Sequence, residues 1–113
     1  MGMNEKLGLP FDKMKKITIA FDVDGTLIDE NDNVNERIRS ILVGLASFKN
    51  VKIVVWSGGG ELWARQVGNR IGIDNYVDRY ASKMEWQEIQ PDIAIDDIQD
   101  TAIGKINLIV KEK

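Results

Sequence analysis

The feature that most constrains the fold of this chain is the alternation of short, strand-like runs with segments of helical periodicity. Five such runs, mostly of apolar and β-branched residues, lie at 17–21, 51–56, 76–80, 93–95 and 106–110. Between the first two, apolar residues at three- and four-residue spacing from 38 to 46 predict a helix that Asn35 can cap. Strands that alternate with helices form a parallel sheet covered by helices. The sequence therefore predicts an α/β fold with a mostly parallel sheet of about five strands.

The remaining helices and the domain boundary follow from the same pattern. A second helix is expected over 61–71, and Ser82 with Glu85 has capping-box spacing for a short helix that starts at Lys83 and stops before Pro91. Only residues 98–105 separate the fourth strand from the fifth. This connection is short for a parallel crossover, so the direction of the last strand stays open. We expect one domain over 16–113, preceded by an extension, 1–15, that matches no element and is either mobile or partner-binding.

The chain contains no Cys and no His. This excludes disulfides, thiolate nucleophiles, Cys/His zinc sites and Ser-His-Asp triads, so catalysis must use carboxylates, Lys, Ser/Thr or the backbone. The net charge of −3 does not indicate nucleic acid as a partner. No apolar run approaches the length of a membrane helix and no export signal is visible, so we expect a cytoplasmic protein without a membrane partner.

Chemically capable side chains follow the predicted strands. Asp22 and Asp24 follow the first strand, Ser57 the second, and Asp96 and Asp97 the fourth. The carboxyl ends of parallel strands lie at one sheet edge, so these residues should converge. Two unit charges about 4 Å apart repel by about 4 kcal/mol at an effective dielectric near 20, so either a cation is bound or some of the carboxyl groups are protonated. A site that offers only oxygen ligands selects a hard cation, and a shallow site with few carboxylates suits Mg²⁺ better than Ca²⁺. The alternative is that the Asp-rich segment is only a turn.

Two further features are consistent with a bound phosphate. Ser57 is followed by glycines 58–60 at a predicted helix start, which offers a hydroxyl and backbone N–H groups to an anion. Lys83 is the only lysine between Ser57 and Asp96. A flexible turn and a solvated lysine are the simpler alternatives, and neither feature decides the matter by itself.

These residues carry a resemblance to a known family. The segment from Phe21 to Leu27, FDVDGTL, resembles the first motif of the haloacid dehalogenase (HAD) superfamily of phosphohydrolases, DxDGT after a hydrophobic strand. The strand ending in Ser57 resembles the second motif, Lys83 is similar to the third, and the strand ending in Asp96 and Asp97 resembles the fourth. The resemblance covers about residues 16–110 and implies a three-layer, Rossmann-like fold.

The resemblance implies a Mg²⁺-dependent phosphatase that hydrolyses a phosphomonoester through an aspartyl-phosphate intermediate. Asp22 is implied as the nucleophile, Asp24 as the acid and base, and Thr26 as the residue that orients Asp22. The residues implied to bind phosphoryl oxygens are Ser57, Gly58 and Lys83. Those implied to hold Mg²⁺ are Asp22, Asp24 through its main-chain carbonyl, and Asp96 or Asp97. Asp100 also fits a form of the fourth motif, so the choice among the last carboxylates stays open.

Family members usually carry a cap domain, which is not expected here. Asp22 and Ser57 are 35 positions apart, and Ser57 and Lys83 are 26 apart, which leaves room only for a loop, a helix and a strand each time. An uncapped site implies a large phosphorylated substrate or closure by another subunit. The substrate class, small molecule or macromolecule, and a homo-oligomer therefore stay open.

Two other functions compete with the phosphatase. The first is a non-catalytic or regulatory protein of the same fold that binds phosphate or metal; the intact Asp22 and Asp24 pair argues against it. The second is a receiver domain of the response-regulator type, which also groups carboxylates, Ser/Thr and Lys around Mg²⁺. The aromatic residues Trp63, Tyr76, Tyr80 and Trp86 fit either core or an oligomer surface, and we expect core because small domains need buried aromatic area.

Overall fold

A computed structural model provides the structure of the protein and describes residues 15–111. Its sheet has five strands, which are β1 (Ile17–Asp22), β2 (Val51–Ser57), β3 (Arg79–Ser82), β4 (Ile93–Asp96) and β5 (Ile106–Ile109). All four neighbouring pairs are parallel, in the order β3-β2-β1-β4-β5. This is the Rossmann order, whereas receiver-type folds use 2-1-3-4-5. The predicted α/β fold is confirmed, and the receiver alternative is excluded by the strand order.

Three α-helices are present in the described residues, α1 (Glu36–Ala46), α2 (Glu61–Ile71) and α3 (Trp86–Ile89). Asn35 caps α1, because its side-chain oxygen accepts a hydrogen bond from the Ile38 N–H at 3.2 Å. The predicted Ser82 and Glu85 capping box is also present, although it starts a 3-10 turn, Lys83–Glu85, that leads into α3. None of the described helices is long and apolar enough to cross a membrane.

Apolar side chains cover both faces of the sheet. Those of Phe21 and Val55 pack with α1 and α2 on one face, and those of Val54 and Trp56 pack near Ile89 and Ile103 on the other. The central strands β1 and β2 are therefore buried on both sides, which explains their continuous apolar sequence. Their carboxyl ends are consequently packed between the two layers, and these ends carry the candidate site.

The third strand differs from the prediction. It was expected at 76–80, but β3 is Arg79–Ser82, and Asp74–Tyr76 forms a 3-10 turn. Asp78 lies just before the strand, where its carboxylate accepts the Ile53 N–H at 2.7 Å and its own N–H donates to the Ile53 carbonyl. The residue before β3 is thus fixed by contacts with β2, which the local sequence does not reveal.

The aromatic residues are only partly core. Tyr80 is buried and Trp63 packs against the core, but Tyr76 is 40% exposed and Trp86 is 41% exposed. The expectation was wrong for the last two, because Tyr76 lies in the 3-10 turn before β3 and Trp86 begins a helix of a single turn.

The open question about the last strand is resolved, since β5 runs parallel to β4. Their connection, 97–105, contains a 3-10 turn, Gln99–Thr101, in place of a helix. Of the predicted extension 1–15, only Lys15 lies within the described residues.

Candidate active site

The carboxyl ends of three neighbouring strands bring the predicted site residues together. Asp22, Ser57 and Asp96 are the last residues of β1, β2 and β4, and all three are buried. Because these strands are parallel neighbours, their ends meet at the same sheet edge. The sequence-based expectation that these positions converge is therefore confirmed.

Lys83 joins the site from the turn after β3. Its Nζ lies 2.8 Å from Asp22 Oδ1 and 2.6 Å from Asp96 Oδ2, so it bridges two carboxylates from different strands. Burial alone would lower the pKa of Lys83, but these two carboxylates raise it above its usual value. The ammonium group therefore stays charged and supplies a fixed positive charge beside Asp22.

The turn after β1 orients Asp22. The fully buried Thr26 donates a hydrogen bond from Oγ1 to Asp22 Oδ2 at 3.1 Å. Gly25 has a φ of +82°, and a Cβ built there would lie 2.0 Å from Asp97 Oδ2. Only glycine tolerates both this backbone conformation and this close approach. The DxDGT sequence therefore has a local structural reason for its Gly and for its Thr.

Three carboxylates form a cluster at this edge. Asp22, Asp96 and Asp97 each offer an oxygen, and these oxygens all lie within 4.8 Å of one another. Burial raises the pKa of Asp22 to about 7 despite the hydrogen bond from Lys83. Burial and the neighbouring Asp96 also raise the pKa of Asp97. For Asp96 burial is outweighed, because hydrogen bonds from Lys83 and from the Ile98 N–H hold its pKa below the usual value.

This cluster fits a hard divalent cation. Its donors are all carboxylate oxygens, which Mg²⁺ prefers. Burial raises the pKa of Asp22 and of Asp97, so the folded protein disfavours their ionised forms, and a bound cation would stabilise those forms. Asp100, which the sequence left open, is exposed and lies outside the cluster.

Asp24 directs its carboxylate away from this cluster. Its oxygens lie 3.3 and 3.2 Å from Trp63 Nε1, and Oδ2 lies 3.5 Å from Ser57 Oγ. The Asp24 side chain is thus held between β2 and α2. The carboxylates of Asp22 and Asp24, two positions apart, occupy different environments, as two groups with different tasks would require.

Some backbone N–H groups of the glycine turn after Ser57 are engaged in hydrogen bonds within the turn. The Gly59 N–H donates to Ser57 Oγ at 2.9 Å, and the Gly60 N–H donates to the Ser57 carbonyl at 3.1 Å. The sequence suggested several unobstructed N–H groups here, which is wrong for Gly59 and Gly60. Of the predicted phosphate ligands in this turn, the Ser57 hydroxyl and Gly58 remain.

Sequence reasoning missed two residues that contact the site. Thr101 Oγ1 lies 3.3 Å from Asp96 Oδ2 and 3.5 Å from Lys83 Nζ. Trp63, which was expected only as core, donates to Asp24. The sequence signal for Thr101 was weak, namely a hydroxyl five residues after the end of β4, and nothing in the sequence indicated the role of Trp63.

Comparison with known families agrees with this geometry. A family model described as haloacid dehalogenase-like hydrolase matches residues 19–103, about three-quarters of the chain. The chain belongs to the haloacid dehalogenase-like hydrolases. No curated protein and no solved structure gave a match. The part of this haloacid dehalogenase-like hydrolase that matches contains all the site residues described above, and the described residues include no cap domain.

Proposed function

We propose that this hydrolase is a Mg²⁺-dependent phosphatase that hydrolyses a phosphomonoester through an aspartyl-phosphate intermediate. One observation carries the proposal: a buried carboxylate, Asp22, lies against a lysine and within a cluster of two further carboxylates. A nucleophile, a fixed positive charge and a cation site are the parts that phosphoryl transfer requires.

In the first half-reaction an oxygen of Asp22 attacks phosphorus, and the bond between phosphorus and the leaving oxygen breaks. Thr26 fixes the Asp22 carboxylate for this attack. Asp24, in its protonated form, gives its proton to the leaving oxygen. Lys83 and the Ser57 hydroxyl neutralise and hold the equatorial phosphoryl oxygens, and the Gly58 N–H is a further donor.

In the second half-reaction water attacks the phosphorus of the aspartyl phosphate. Asp24, now a carboxylate, accepts the proton of that water, and the bond between phosphorus and the Asp22 oxygen breaks. Inorganic phosphate leaves, and both carboxyl groups return to their starting protonation states. A single residue thus serves as acid and then as base, as microscopic reversibility favours.

The residues that would hold Mg²⁺ are Asp22, Asp96 and Asp97, with the main-chain carbonyl of Asp24. When bound, Mg²⁺ supplies charge neutralisation between the nucleophile and the phosphoryl group. Lys83, which bridges Asp22 and Asp96, keeps these carboxylates close together for the cation.

Space for the rest of the substrate lies beside the cluster. An open cleft of about 660 Å³ borders the site, and its lining residues are Gly25, Asp29, Glu30, Asn31, Asn35, Asp97, Val110 and Lys111. Since no cap covers the described residues, the phosphate can be presented on a small molecule or on a macromolecule. We propose such an ester as the substrate, with closure by a second copy of the chain as an alternative to a large substrate.

The test is phosphate release from a panel of phosphomonoesters with Mg²⁺ or with EDTA. Wild type is compared with Asp22→Asn and with Asp100→Asn, a matched control because Asp100 is exposed and outside the cluster. We expect Mg²⁺-dependent release that falls by at least about a thousandfold in Asp22→Asn and is unchanged in Asp100→Asn. Bound Mg²⁺ without release from any small ester would point to a macromolecular substrate or to the non-catalytic, regulatory alternative.

A further inference from the structure

We infer that Trp63 is a positioning residue, whose indole N–H holds the carboxylate of Asp24 where it can exchange a proton with the leaving group. The inference rests on the proposed phosphatase function. Its basis is the bifurcated contact from Trp63 Nε1 to both oxygens of Asp24, at 3.2 and 3.3 Å. This contact joins residues that are 39 positions apart in the sequence.

The surroundings of Trp63 fix its ring. Trp63 is the third residue of α2, and the next residue, Ala64, is fully buried and anchors the helix. The indole lies over the glycine turn, since a Cβ on Gly59 would be 3.4 Å from Trp63 Cδ1. The N–H is therefore presented to Asp24 by a packed ring.

Ser57 makes the indole contact more important during turnover. The Ser57 hydroxyl lies 3.5 Å from Asp24 Oδ2. The proposed function directs this hydroxyl to a phosphoryl oxygen. Trp63, which also contacts the Asp24 carboxylate, then continues to hold it. An indole N–H donates but cannot accept, so it orients the carboxylate without taking its proton.

A residue that positions the general acid has a distinctive kinetic effect. An alkyl phosphate has a strongly basic leaving oxygen that needs a proton, whereas the nitrophenolate of p-nitrophenyl phosphate leaves without one. A merely structural role, or a lower fraction of folded protein, would reduce both rates by the same factor. The ratio of kcat/KM for the two esters therefore reports the position of Asp24 independently of the amount of active enzyme.

The experiment measures kcat/KM with Mg²⁺ for glycerol phosphate and p-nitrophenyl phosphate in wild type and in Trp63→Phe, which keeps a packed ring and loses the N–H. Trp86→Phe is the matched control, because Trp86 is partly exposed and begins α3 outside the site. We expect Trp63→Phe to lose about tenfold or more on the alkyl ester, as for one hydrogen bond to a charged group, and less than about twofold on p-nitrophenyl phosphate. Trp86→Phe should change neither.

A second readout does not depend on activity. The chain has three Trp, so three indole N–H signals are expected in a ¹H–¹⁵N spectrum, and Asp24→Ala should shift that of Trp63 most. Equal loss of kcat/KM on both esters, no loss on either, or an unshifted Trp63 signal would overturn this inference and leave the proposed function standing. A wild type that releases phosphate from no ester, small or macromolecular, with the Trp63 signal still shifted, would overturn the proposed function and with it the catalytic role of the contact.

Discussion

Replacing Asp22 by Asn should stabilise the metal-free protein at neutral and alkaline pH, even though it removes the proposed nucleophile. Asp22 is buried, and the pKa of its carboxyl is raised from 3.8 to about 7. Burial is the main cause, and Lys83 offsets only part of it. The folded protein thus carries an ionised Asp22 above pH 7 at a free-energy cost that Asn does not have.

The sign and size follow from proton linkage. Between about pH 4 and pH 7 the folded state holds a proton on Asp22 that the unfolded chain has lost, so the free energy of unfolding of wild type falls as pH rises through this range. The difference between 3.8 and about 7 in the pKa of Asp22 corresponds to about 4 kcal/mol of unfolding free energy. The neighbouring Asp97 also has a raised pKa, so part of the pH dependence belongs to that group. We therefore expect Asp22→Asn to recover about 2 to 4 kcal/mol of the unfolding free energy.

Urea unfolding followed by Trp fluorescence, in EDTA at pH 4 and pH 8, measures this difference. Asp22→Asn should be more stable than wild type at pH 8 by about 2 to 4 kcal/mol more than at pH 4. Asp100→Asn, which changes an exposed carboxylate, should track wild type at both pH values. If the stability difference between Asp22→Asn and wild type did not change with pH, or if Asp22→Asn were less stable than wild type at pH 8, the reasoning that burial disfavours the ionised form of Asp22 would be refuted.

Three further predictions concern the metal and its surroundings. Millimolar Mg²⁺ should raise the Tm of wild type and leave that of Asp22→Asn nearly unchanged, as differential scanning fluorimetry would record; equal shifts would exclude Asp22 as a ligand. Gly25→Ala should lower the free energy of unfolding by at least about 2 kcal/mol, because its Cβ would meet Asp97 Oδ2 at 2.0 Å and its φ is +82°; a neutral result in urea unfolding would contradict this geometry. Thr101→Val should lower kcat/KM about threefold to tenfold by loosening Lys83 and Asp96, and Thr101→Ser should restore it; a Ser variant as slow as Val would mean that the hydroxyl is not responsible.

The sequence predicted most of the site because the site depends on topology. Once strands 17–21, 51–56 and 93–95 are read as parallel, Asp22, Ser57 and Asp96 must meet at one edge, and the structure confirms this. The capping of the first helix by Asn35 is equally local, and the structure confirms it. These inferences require only the strand order and the local chain geometry.

What the sequence could not predict depends on contacts between distant residues. The start of β3 is set by Asp78 against Ile53 in the neighbouring strand, so the run 76–80 misplaced it. The contact of Trp63 with Asp24 joins a helix to a loop 39 positions earlier. An apolar residue on a helix is usually core, and periodicity alone cannot separate the two roles.

The most direct test of the central claim is to trap the phosphoryl group on the enzyme. Wild type and the slowed variant Asp24→Ala would be mixed with p-nitrophenyl phosphate and Mg²⁺, quenched rapidly, reduced with borohydride, digested and analysed by mass spectrometry. We predict reduction of the acyl phosphate at Asp22, more in Asp24→Ala because water attack on the intermediate is slowed, and none in Asp22→Asn. A phosphoryl group on any other residue, or full turnover by Asp22→Asn, would contradict the account.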